Sequence, residues 1–518
     1  CNVPRGKIKH QLLQYPGGIR EDLNFAAIPA DRWLSSNNWL IRDGEGRPRP
    51  GYTLLATTAD ESRIIGIGYR GSPLDGTNVV VHTTDNAYSY NGTSLTAITG
   101  TWAVSSATQP VRFASYVQSG TTYILRVNDA NSLHEWDGVG TDFVQTGGTP
   151  PASARDICVA GGRVILFRPG GNDYRVQWSG FNNRASWGVN DFTELRDTPG
   201  VVTAGRPLGP NSFAVYKEDC VYVASLQAAL QPFQFQFVGR TSGPASASAL
   251  IEQNGIHYWL GEDGNLYQFD GNRIQPYGEP LADTLKQQFS ISERRRSFAF
   301  SVSTQEPEIW FGYLKAGTSG TVRGINQNLK TGALFNHTFS DEITAASEWL
   351  TQSTSTIDAL TNYSATIDGL SSVFASIDAM SGEGIGIRSV LFGDSSGNLY
   401  AFGQAQNDDG TDIAWHFEHG WQAPAQVGTR MYCDGLVSYW RKMTEALQVT
   451  VNLSVSDSLG DVETPQSKTF YLNEDSEHLL TFPNTRGQFW KVKHSGQAAR
   501  STMRHRGAAL MGWPIGMV

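Results

Sequence analysis

Three short motifs in the 518-residue chain have residue types and spacings that support chemistry in other proteins. The first, "GIGYRG", places Gly66, Gly68 and Gly71 at the spacing of a dinucleotide-binding loop. Such a loop needs a helix directly after it, because the helix N-terminus faces the pyrophosphate. Here "SPLDGTNVVV" follows, and Pro73 and Gly76 stand where that helix would grow. The sequence therefore predicts no dinucleotide site at this motif.

The second motif, "GDSSG", matches the GxSxG spacing of a serine nucleophile through Gly393, Ser395 and Gly397. A nucleophile elbow has to lie between a strand and a helix, so that the serine is held at a sharp turn. Residues 398–402, "NLYAF", continue with strand-forming residues instead. We interpret the motif as a hairpin turn without catalytic function.

The third motif, "HFEH", offers His416 and His419 as a metal pair. No third ligand stands nearby in the sequence, and a strand would point the two rings apart. The acidic turns of the chain lack the full ligand count of a calcium loop. A glycosidase-type carboxylate pair cannot be chosen among 49 acidic residues. We assign no catalytic, cofactor-binding or metal-binding residue and expect no enzyme activity and no cofactor.

The remaining charged motif is the basic run "ERRR" at residues 293–296, just before a strand-like segment. Basic runs of this length most often form a solvated face and less often a subunit or phosphate contact. We predict a solvated or intersubunit position for this run.

The composition is that of a turn-rich, all-β protein. Glycine occurs 55 times, aromatic residues make up 11% and charged residues only 17%. The length indicates two to four domains. The formal net charge of −9 argues against a dedicated nucleic-acid binder but allows DNA to pass without sticking.

Cysteine usage and hydropathy indicate a protein made in a cytoplasm. The four cysteines are far apart in the sequence and form no paired motif, so we expect reduced, buried thiols. No apolar run reaches the length of a membrane span.

Alternation of apolar and polar residues recurs along the chain. "PFQFQF" places Phe233, Phe235 and Phe237 on one face, and "LQVTVNLSV" alternates over residues 447–455. Such runs predict half-buried strands. After about residue 404 they predict a separate C-terminal antiparallel β domain over residues 404–518.

A recurring hairpin signature predicts the larger architecture. "AYSYNG", "LHEWDG" and "LYQFDG" each close a strand with an aromatic pair and Asn/Asp-Gly, and "LYAFG" at 399–403 lacks the Asn/Asp. Repeated short hairpins of this type are typical of propeller blades. We predict an all-β fold with a β-propeller of about six to eight blades over residues 61–403, with insertions. A pair of β-sandwiches is the alternative.

The opening stretch, "GGIREDLNFAAIPADRWLSSNNWLIRDGEGRPRPGY" at residues 17–52, differs from the rest. Pro29 and Asp31 suit a first helical turn, and apolar residues within 33–41 recur at helical spacing. Pro48 and Pro50 then force extended backbone. We predict a short helical N-terminal lead-in within a docking segment over residues 1–60.

An insertion over residues 351–382 repeats Ile-Asp every ten residues. An even period keeps one face of a strand, whereas ten helical steps do not return to the same face. The segment is either a low-complexity surface insertion or a projecting loop at a pore or partner surface. The second interpretation makes these residues candidates for a channel gate or tip loop: Ile357, Asp358, Ile367, Asp368, Ile377 and Asp378.

The opening stretch and the body together resemble the tail nozzle (tail hub) proteins of short-tailed bacteriophages, also called packaged-DNA stabilisation proteins. The Gly-Gly start, the "NNW" stretch and the Arg-Pro-Gly-Tyr end carry the resemblance. Further on, "RVQWSGFNNRASW" and "FAVYKEDCVYVAS" resemble strands of that group.

The resemblance implies a structural protein of the virion tail, assembled in the bacterial host cytoplasm. It implies a homohexamer below an adaptor ring on the portal, whose channel holds packaged double-stranded DNA and later releases it. Tail fibres or a tail needle are further partners. Under this interpretation the opening stretch docks to the adaptor or to neighbouring subunits through Trp33, Trp39, Arg47, Arg49 and Tyr52.

Two other classes of function remain open at this point. A propeller of this size also suits a carbohydrate-active depolymerase, which would gather carboxylates, an arginine or tyrosine and aromatic rings in a central funnel. It also suits a tail protein that binds a glycan or another receptor.

Overall fold

A computed structural model describes residues 8–12, 18–20, 32–69, 79–227, 231–302, 306–318, 320–350, 388–423, 429–457, 465–482, 485–500 and 503–517. The described chain is almost entirely β-structure. Five strands come before the first complete sheet: β1 (Ile8–Leu12), β2 (Trp33–Asn37), β3 (Trp39–Arg42), β4 (Glu45–Pro48) and β5 (Gly51–Thr57).

Seven four-stranded blades follow in the described residues. Five are separate antiparallel sheets, and blades 1 and 2 join into one eight-stranded sheet because their last strands pair in parallel. Blade 1 consists of β6 (Ile64–Tyr69), β7 (Val79–Thr83), β8 (Ala87–Tyr90) and β9 (Leu95–Gly100). Blade 2 consists of β10 (Arg112–Gln118), β11 (Thr121–Asn128), β12 (Asn131–Trp136) and β13 (Asp142–Gln145). Blade 3 consists of β14 (Asp156–Ala160), β15 (Arg163–Phe167), β16 (Arg175–Trp178) and β17 (Phe192–Glu194). Blade 4 consists of β18 (Val202–Gly209), β19 (Ser212–Lys217), β20 (Cys220–Leu226) and β21 (Phe233–Arg240).

The last three blades follow the same pattern. Blade 5 consists of β22 (Leu250–Gln253), β23 (Ile256–Leu260), β24 (Leu266–Phe269) and β25 (Ile274–Pro276). Blade 6 consists of β26 (Phe298–Val302), β27 (Glu308–Leu314), β28 (Val322–Asn328) and β29 (Leu334–Thr338). Blade 7 consists of β30 (Ile343–Leu350), β31 (Arg388–Asp394), β32 (Asn398–Ala405) and the early strand β5.

The blades form a closed β-propeller. The first strand of each blade contacts the first strand of the next, and β30 of blade 7 contacts β6 of blade 1. The ring closes because β5 pairs antiparallel with β32, from Gly51 opposite Ala405 to Thr57 opposite Asn398. The propeller expected from the sequence is confirmed, with seven blades. The strand β5 falls inside the segment 1–60 that was predicted to lie outside it.

The four aromatic hairpin signatures occupy equivalent positions. They form the third strands β8, β12, β24 and β32 of four different blades. The glycine that ends each signature has a positive φ of 97°, 88°, 94° or 104°, which side chains with a Cβ rarely adopt. The last signature lacks Asn/Asp because the chain does not turn into a fourth strand there: β5 already fills that place.

Eight strands follow the propeller: β33 (Trp415–His419), β34 (Thr429–Trp440), β35 (Gln448–Ser456), β36 (Gln466–Tyr471), β37 (Glu477–Leu480), β38 (Arg486–Gly487), β39 (Phe489–Gly496) and β40 (His505–Met517). They form two sheets together with strands from the beginning of the chain. One sheet has the order β2-β33-β39-β35-β36. The other has the order β3-β4-β40-β34-β37, with β1 paired to β40 and β38 paired to β34.

The two sheets pack face to face as a β-sandwich. Trp39 of one sheet stacks on Phe417 of the other, with ring centroids 5.1 Å apart. In β35, alternate residues from Val449 to Val455 are buried, as the sequence pattern predicts. The predicted C-terminal antiparallel β domain is thus present, and it incorporates β1 to β4 from the beginning of the chain.

The helix predicted within residues 33–41 is wrong. Two strands occupy this region, and Asn38 between them has a φ of 56°, which ends the first strand. The strands enter different sheets, and Trp39, Leu40 and Ile41 are all buried in succession. Burial of consecutive residues removes the two-residue alternation of a strand, so the apolar spacing resembled that of a helix.

Helices are rare in the described residues. The one α-helix, α1 (Ala282–Gln288), lies between blades 5 and 6, and short 3₁₀ turns occur at Pro169–Gly171, Ala247–Ala249, Glu279–Leu281 and Arg294–Arg296. None of the helices that the structure describes has the length and apolarity to span a membrane. In the part of the chain that the structure describes, Cys158, Cys220 and Cys433 are buried and form no disulfide, as expected.

The cores of the propeller and the sandwich are continuous. One cluster of buried residues joins Phe300 and Phe402 of blades 6 and 7 to Trp33, Trp440 and Trp490 of the sandwich. Trp33 connects the two units directly, since its ring lies 5.7 Å from Phe335 of blade 6 and 5.3 Å from Phe417 of the sandwich. The two units therefore bury one shared apolar interior.

Three histidines lie inside the sandwich next to that shared interior. The ring centroids of His494 and His505 are 5.1 Å apart, and those of His419 and His494 are 6.3 Å apart. Burial lowers the pKa of His419 and of His505 to about 3, and it lowers that of His494 well below its usual value. All three rings are therefore neutral in the folded protein at pH 7.

We predict that the free energy of unfolding falls as the pH drops below about 6.5, the usual histidine pKa in an unfolded chain. Below that pH the unfolded chain binds protons that the folded sandwich excludes, so each such histidine costs up to about 1.4 kcal/mol per pH unit. Chemical denaturation at pH 7.5 and pH 5.5 measures the effect. His505→Gln should reduce the pH dependence, and an unchanged dependence would contradict the assignment.

Candidate functional site

The residues predicted to dock to an adaptor or a neighbouring subunit are mostly internal. Trp33, Trp39 and Tyr52 have no exposed surface, and Arg49 is only 2% exposed. The prediction of an external docking role is therefore wrong for these four, because a partner cannot reach them in the folded chain. Arg47 is half-buried and donates from Nη2 to the carboxylate of Asp43 at 2.7 Å.

Arg49 instead ties the propeller to the sandwich. It donates to both carboxylate oxygens of Asp408, from Nη1 at 2.8 Å and from Nη2 at 2.5 Å. Its Nε donates to Asn38 Oδ1 at 2.9 Å, and the remaining donors reach the carbonyls of Pro50 and Thr338 at 3.0 and 2.7 Å. All five N–H groups of the guanidinium are thus engaged.

The partners of Arg49 come from separate parts of the chain. Asp408 follows blade 7 and also accepts from the backbone N–H and the hydroxyl of Ser340 after blade 6. Asn38 lies between the two sandwich sheets and accepts from the Thr338 N–H at 2.9 Å. We call this set the Arg49 node: Arg49, Asp408, Asn38, Thr338 and Ser340. It holds blade 6, the end of blade 7 and the sandwich in one geometry.

The proline and glycine residues around Arg49 explain the Arg-Pro-Gly-Tyr sequence. Pro50 restricts Arg49 to extended backbone, which directs its side chain into the node. A Cβ at Gly51 would lie 1.9 Å from the carbonyl oxygen of Asn407, so only glycine permits this approach. Tyr52 then donates its hydroxyl to Asp341 at 2.7 Å, and burial raises the pKa of that hydroxyl.

A second ion pair supports the same joint. Arg42 at the end of β3 donates from Nε and Nη2 to the two oxygens of Glu308 in blade 6, at 2.5 and 2.7 Å. Glu308 is buried and also accepts from Trp310 Nε1 at 2.9 Å. Two bidentate arginine–carboxylate pairs therefore fix the sandwich to the propeller.

The propeller axis contains a different charged cluster. Asp156 of blade 3 is fully buried and accepts from Arg112 Nε of blade 2 at 3.1 Å and from Arg206 Nη1 of blade 4 at 2.6 Å. Arg112 also reaches across to the hydroxyl of Ser248, before blade 5, at 3.3 Å. Burial, together with the nearby Arg206 charge, lowers the pKa of Arg112 to about 10. These side chains close the axis of the single propeller.

The basic run at residues 293–296 lies near one end of that axis. Arg294 pairs with Glu262 from blade 5 at 3.5 Å, and Arg296 pairs with Glu342 before blade 7. Glu342 also accepts from Arg63 before blade 1 at 2.7 Å. The predicted solvated position fits Arg295, which is exposed, whereas Arg294 and Arg296 are half-buried and link blades within one chain.

The motifs that were rejected as functional sites lie in ordinary strands and turns of the described chain. Gly66 and Gly68 lie within strand β6, and "GDSSG" forms the turn between β31 and β32. His416 and His419 are on strand β33. Within the described ranges, no group of three or more His, Cys, Asp or Glu residues is placed to hold a metal ion.

The predicted gate residues, Ile357, Asp358, Ile367, Asp368, Ile377 and Asp378, lie outside the described residues. The chain leaves blade 7 toward them at Leu350 and returns at Arg388, which pair with each other. In the same blade, Ala405 and Gly51 pair where the chain passes to and from the sandwich. Both connections therefore leave blade 7 from the same end of the blade.

Comparison with known proteins identifies no family for this chain. No protein-family model matches the chain, and no curated protein matches it. Among solved structures, it is similar to the computationally designed Ika8 protein, with 12% identity, a TM-score of 0.37 and coverage of 76% of this chain and 99% of that chain. It is also similar to the WD40 β-propeller domain of Doa1, with 11% identity, a TM-score of 0.38 and coverage of 69% and 98%. Likeness at this level carries no argument about function.

Sequence reasoning missed the partners of Arg49. Asp408 lies 359 residues away within "NDDG", which has the composition of an ordinary turn. Asn38 was counted only as part of a helical pattern. The Pro-Arg-Pro-Gly spacing was the one local signal, since it marks an arginine held in extended backbone beside a close backbone approach.

We predict that Arg49→Met lowers the free energy of unfolding by about 3–5 kcal/mol, because it leaves Asp408 buried without its counterion. The control Arg47→Met removes a pair with the exposed Asp43 and should cost less than about 1 kcal/mol. Denaturant unfolding of the full chain measures both. The double variant Arg49→Met/Asp408→Leu should recover part of the loss. Equal losses for Arg49→Met and Arg47→Met would contradict the Arg49 node.

Proposed function

We propose that the chain is a structural subunit of the tail nozzle of a short-tailed bacteriophage. Several copies, six by the resemblance, enclose a passage that retains packaged DNA and conducts it during ejection. The role is mechanical, and no residue acts as a catalyst. The ring sits below an adaptor ring on the portal in the virion tail and is assembled in the bacterial host cytoplasm.

The observation that carries this proposal is the position of the resembling stretch. Within residues 17–52, the described part supplies β2 to β4 of the sandwich, the first residues of β5 and Arg49. The segment that resembles the nozzle group is therefore the joint of the whole chain. A wall subunit that holds a genome under pressure needs such a joint, because flexing between its two units would open the wall.

The closed propeller axis supports a passage between copies rather than through one. Arg112, Asp156 and Arg206 meet at the axis, and the cavity beside them has about 330 Å³. A DNA duplex cannot enter a space of that size. A conduit built from this chain therefore needs a ring of identical copies, which is the assembly that the resemblance implies.

The charge of the chain suits a surface that DNA passes without binding. A passage lined with lysine and arginine would bind phosphates by releasing counterions and would hold the genome in place. The formal charge of −9 per chain is multiplied around a ring, and the resulting repulsion keeps the duplex moving. The adaptor ring and any fibres or needle dock on surfaces other than the buried residues of the Arg49 node.

We predict that the purified full chain forms a ring with six-fold symmetry and an axial hole, alone or with its adaptor protein. Native mass spectrometry and negative-stain imaging of the same sample check this. In a phage that encodes the chain, an amber mutation in its gene should give particles that package DNA and then lose it. Restoring the chain in trans should restore retention, and Arg49→Met should restore it poorly.

Three outcomes would overturn the proposal. One is a monomer or trimer that cleaves polysaccharide, which indicates a depolymerase. Another is a trimer that binds a glycan without turnover, which indicates a receptor-binding tail protein. The third is a particle without this chain that retains and delivers its DNA normally.

A further inference from the structure

The propeller has a cavity of about 330 Å³ on its axis, beside the cluster of Arg112, Asp156 and Arg206. In the described residues its walls come from the first strands of blades 1, 2, 4, 5, 6 and 7. The volume is near the lower end of the range of about 300–1,000 Å³ for small-ligand pockets. It therefore suits one ligand of about the size of a single sugar unit.

One side of the cavity holds two arginines with a single carboxylate between them, and Glu252 and Glu348 are the other charged residues of its lining. Arg112 and Arg206 both line the cavity and share one carboxylate, that of Asp156. Arg206 is more fully engaged, because it also donates to the carbonyls of Gly205, Ala247 and Leu250 at 2.6, 2.7 and 3.2 Å. Arg112 is less engaged: it meets only one oxygen of Asp156 and the neutral hydroxyl of Ser248, and its side chain is 21% exposed.

A partly desolvated guanidinium with donors to spare attracts an anion that has planar paired oxygens, such as a carboxylate. The surrounding low dielectric strengthens this attraction compared with an arginine in water. The lowered pKa of Arg112 is consistent with this, since attraction to a bound anion would offset the burial and the Arg206 repulsion that cause it.

The walls of the cavity present hydrogen-bond acceptors and hydroxyls. Glu252 is exposed, and one of its oxygens accepts from the Gly255 N–H at 2.7 Å. Glu348 on β30 is half-buried and accepts from the hydroxyl of Ser301. Ser115 donates to the Tyr69 carbonyl at 3.0 Å, which leaves its oxygen able to accept.

These walls discriminate between classes of anion. The carboxylates of Glu252 and Glu348 repel a ligand with several negative charges, so binding of a phosphate or a nucleotide is disfavoured. The same carboxylates accept well from neutral hydroxyl groups. Phe113 is half-buried and adds apolar surface of the kind that C–H faces of a sugar ring contact.

We propose that this axial cavity binds one sugar unit that bears a carboxylate, with the carboxylate on Arg112 and the hydroxyls on Glu252, Glu348 and Ser115. Acidic sugars of this class are the hexuronic and nonulosonic acids. The cavity binds the unit without cleaving it. This inference is independent of the nozzle proposal, since a ring subunit can bind a sugar and a sugar-binding chain need not form a ring.

The test is titration of the full chain with D-glucuronate, with N-acetylneuraminate and with neutral D-glucose, followed by calorimetry and by saturation-transfer NMR. We expect at least one acid to bind at least about tenfold more tightly than glucose, because the neutral sugar leaves Arg112 without its anion. Arg112→Gln should weaken that acid about tenfold. The matched control Arg175→Gln removes an arginine that pairs with Glu194 outside the cavity and should have no effect.

If Arg112→Gln does not fold, Ser115→Ala takes its place, since Ser115 is exposed and loss of its acceptor should weaken binding of the same acid several-fold. An oligosaccharide with the acid at its end should bind and one with the acid inside the chain should not, because the cavity holds a single unit. The proposal is overturned if neither acid binds, if glucose binds equally well, or if inorganic sulfate binds as tightly as the acids.

Discussion

A single buried guanidinium decides how the two halves of this protein meet. Arg49 is 2% exposed, and its charge is stable there only because Asp408 and three neutral acceptors surround it. Removing water from such a charge costs several kcal/mol unless every donor is satisfied. The node therefore forms only when the ends of blades 6 and 7 and the sandwich turn at Asn38 are all in place.

The same constraint explains the path of the chain. The beginning of the chain supplies β2, β3 and β4 to the sandwich and then β5 to blade 7. Neither unit has its full set of strands without the opening stretch, and the stretch is held between them by Arg42 and Arg49. The propeller and the sandwich are thus two folds that share strands from one segment and one apolar interior.

The sequence was most informative where local chemistry determines structure. The aromatic hairpins ending in Asn/Asp-Gly predicted blades correctly, because a tight turn with a positive φ at glycine depends on a few adjacent residues. The repeated alternation in β35 predicted a half-buried strand for the same reason. These signals predicted the all-β class and the propeller. They also marked β32, after which the chain does not turn into a fourth strand.

The sequence was least informative where distant residues meet. Residues 33–41 resembled a helix because the strands on either side of Asn38 enter two different sheets. The partner of Arg49 lies 359 residues away, and no local pattern marks it. Trp33 and Trp39 were predicted to lie on an external docking surface, but they are core residues. The prediction failed because composition cannot separate a buried aromatic cluster from an interface.

For the proposed function, these features matter through stiffness. A subunit that encloses a passage for DNA has to transmit force across its own domains, and the shared interior with its two bidentate ion pairs provides a rigid path. The axial cavity lies elsewhere, and its chemistry depends on Arg112 rather than on the joint.

The most direct measurement of the central claim is differential scanning calorimetry of the full chain at pH 7.5. If the propeller and the sandwich are one cooperative body, the scan shows a single transition whose calorimetric and van't Hoff enthalpies agree. Two separate transitions, with the sandwich melting while the propeller remains folded, would contradict the account.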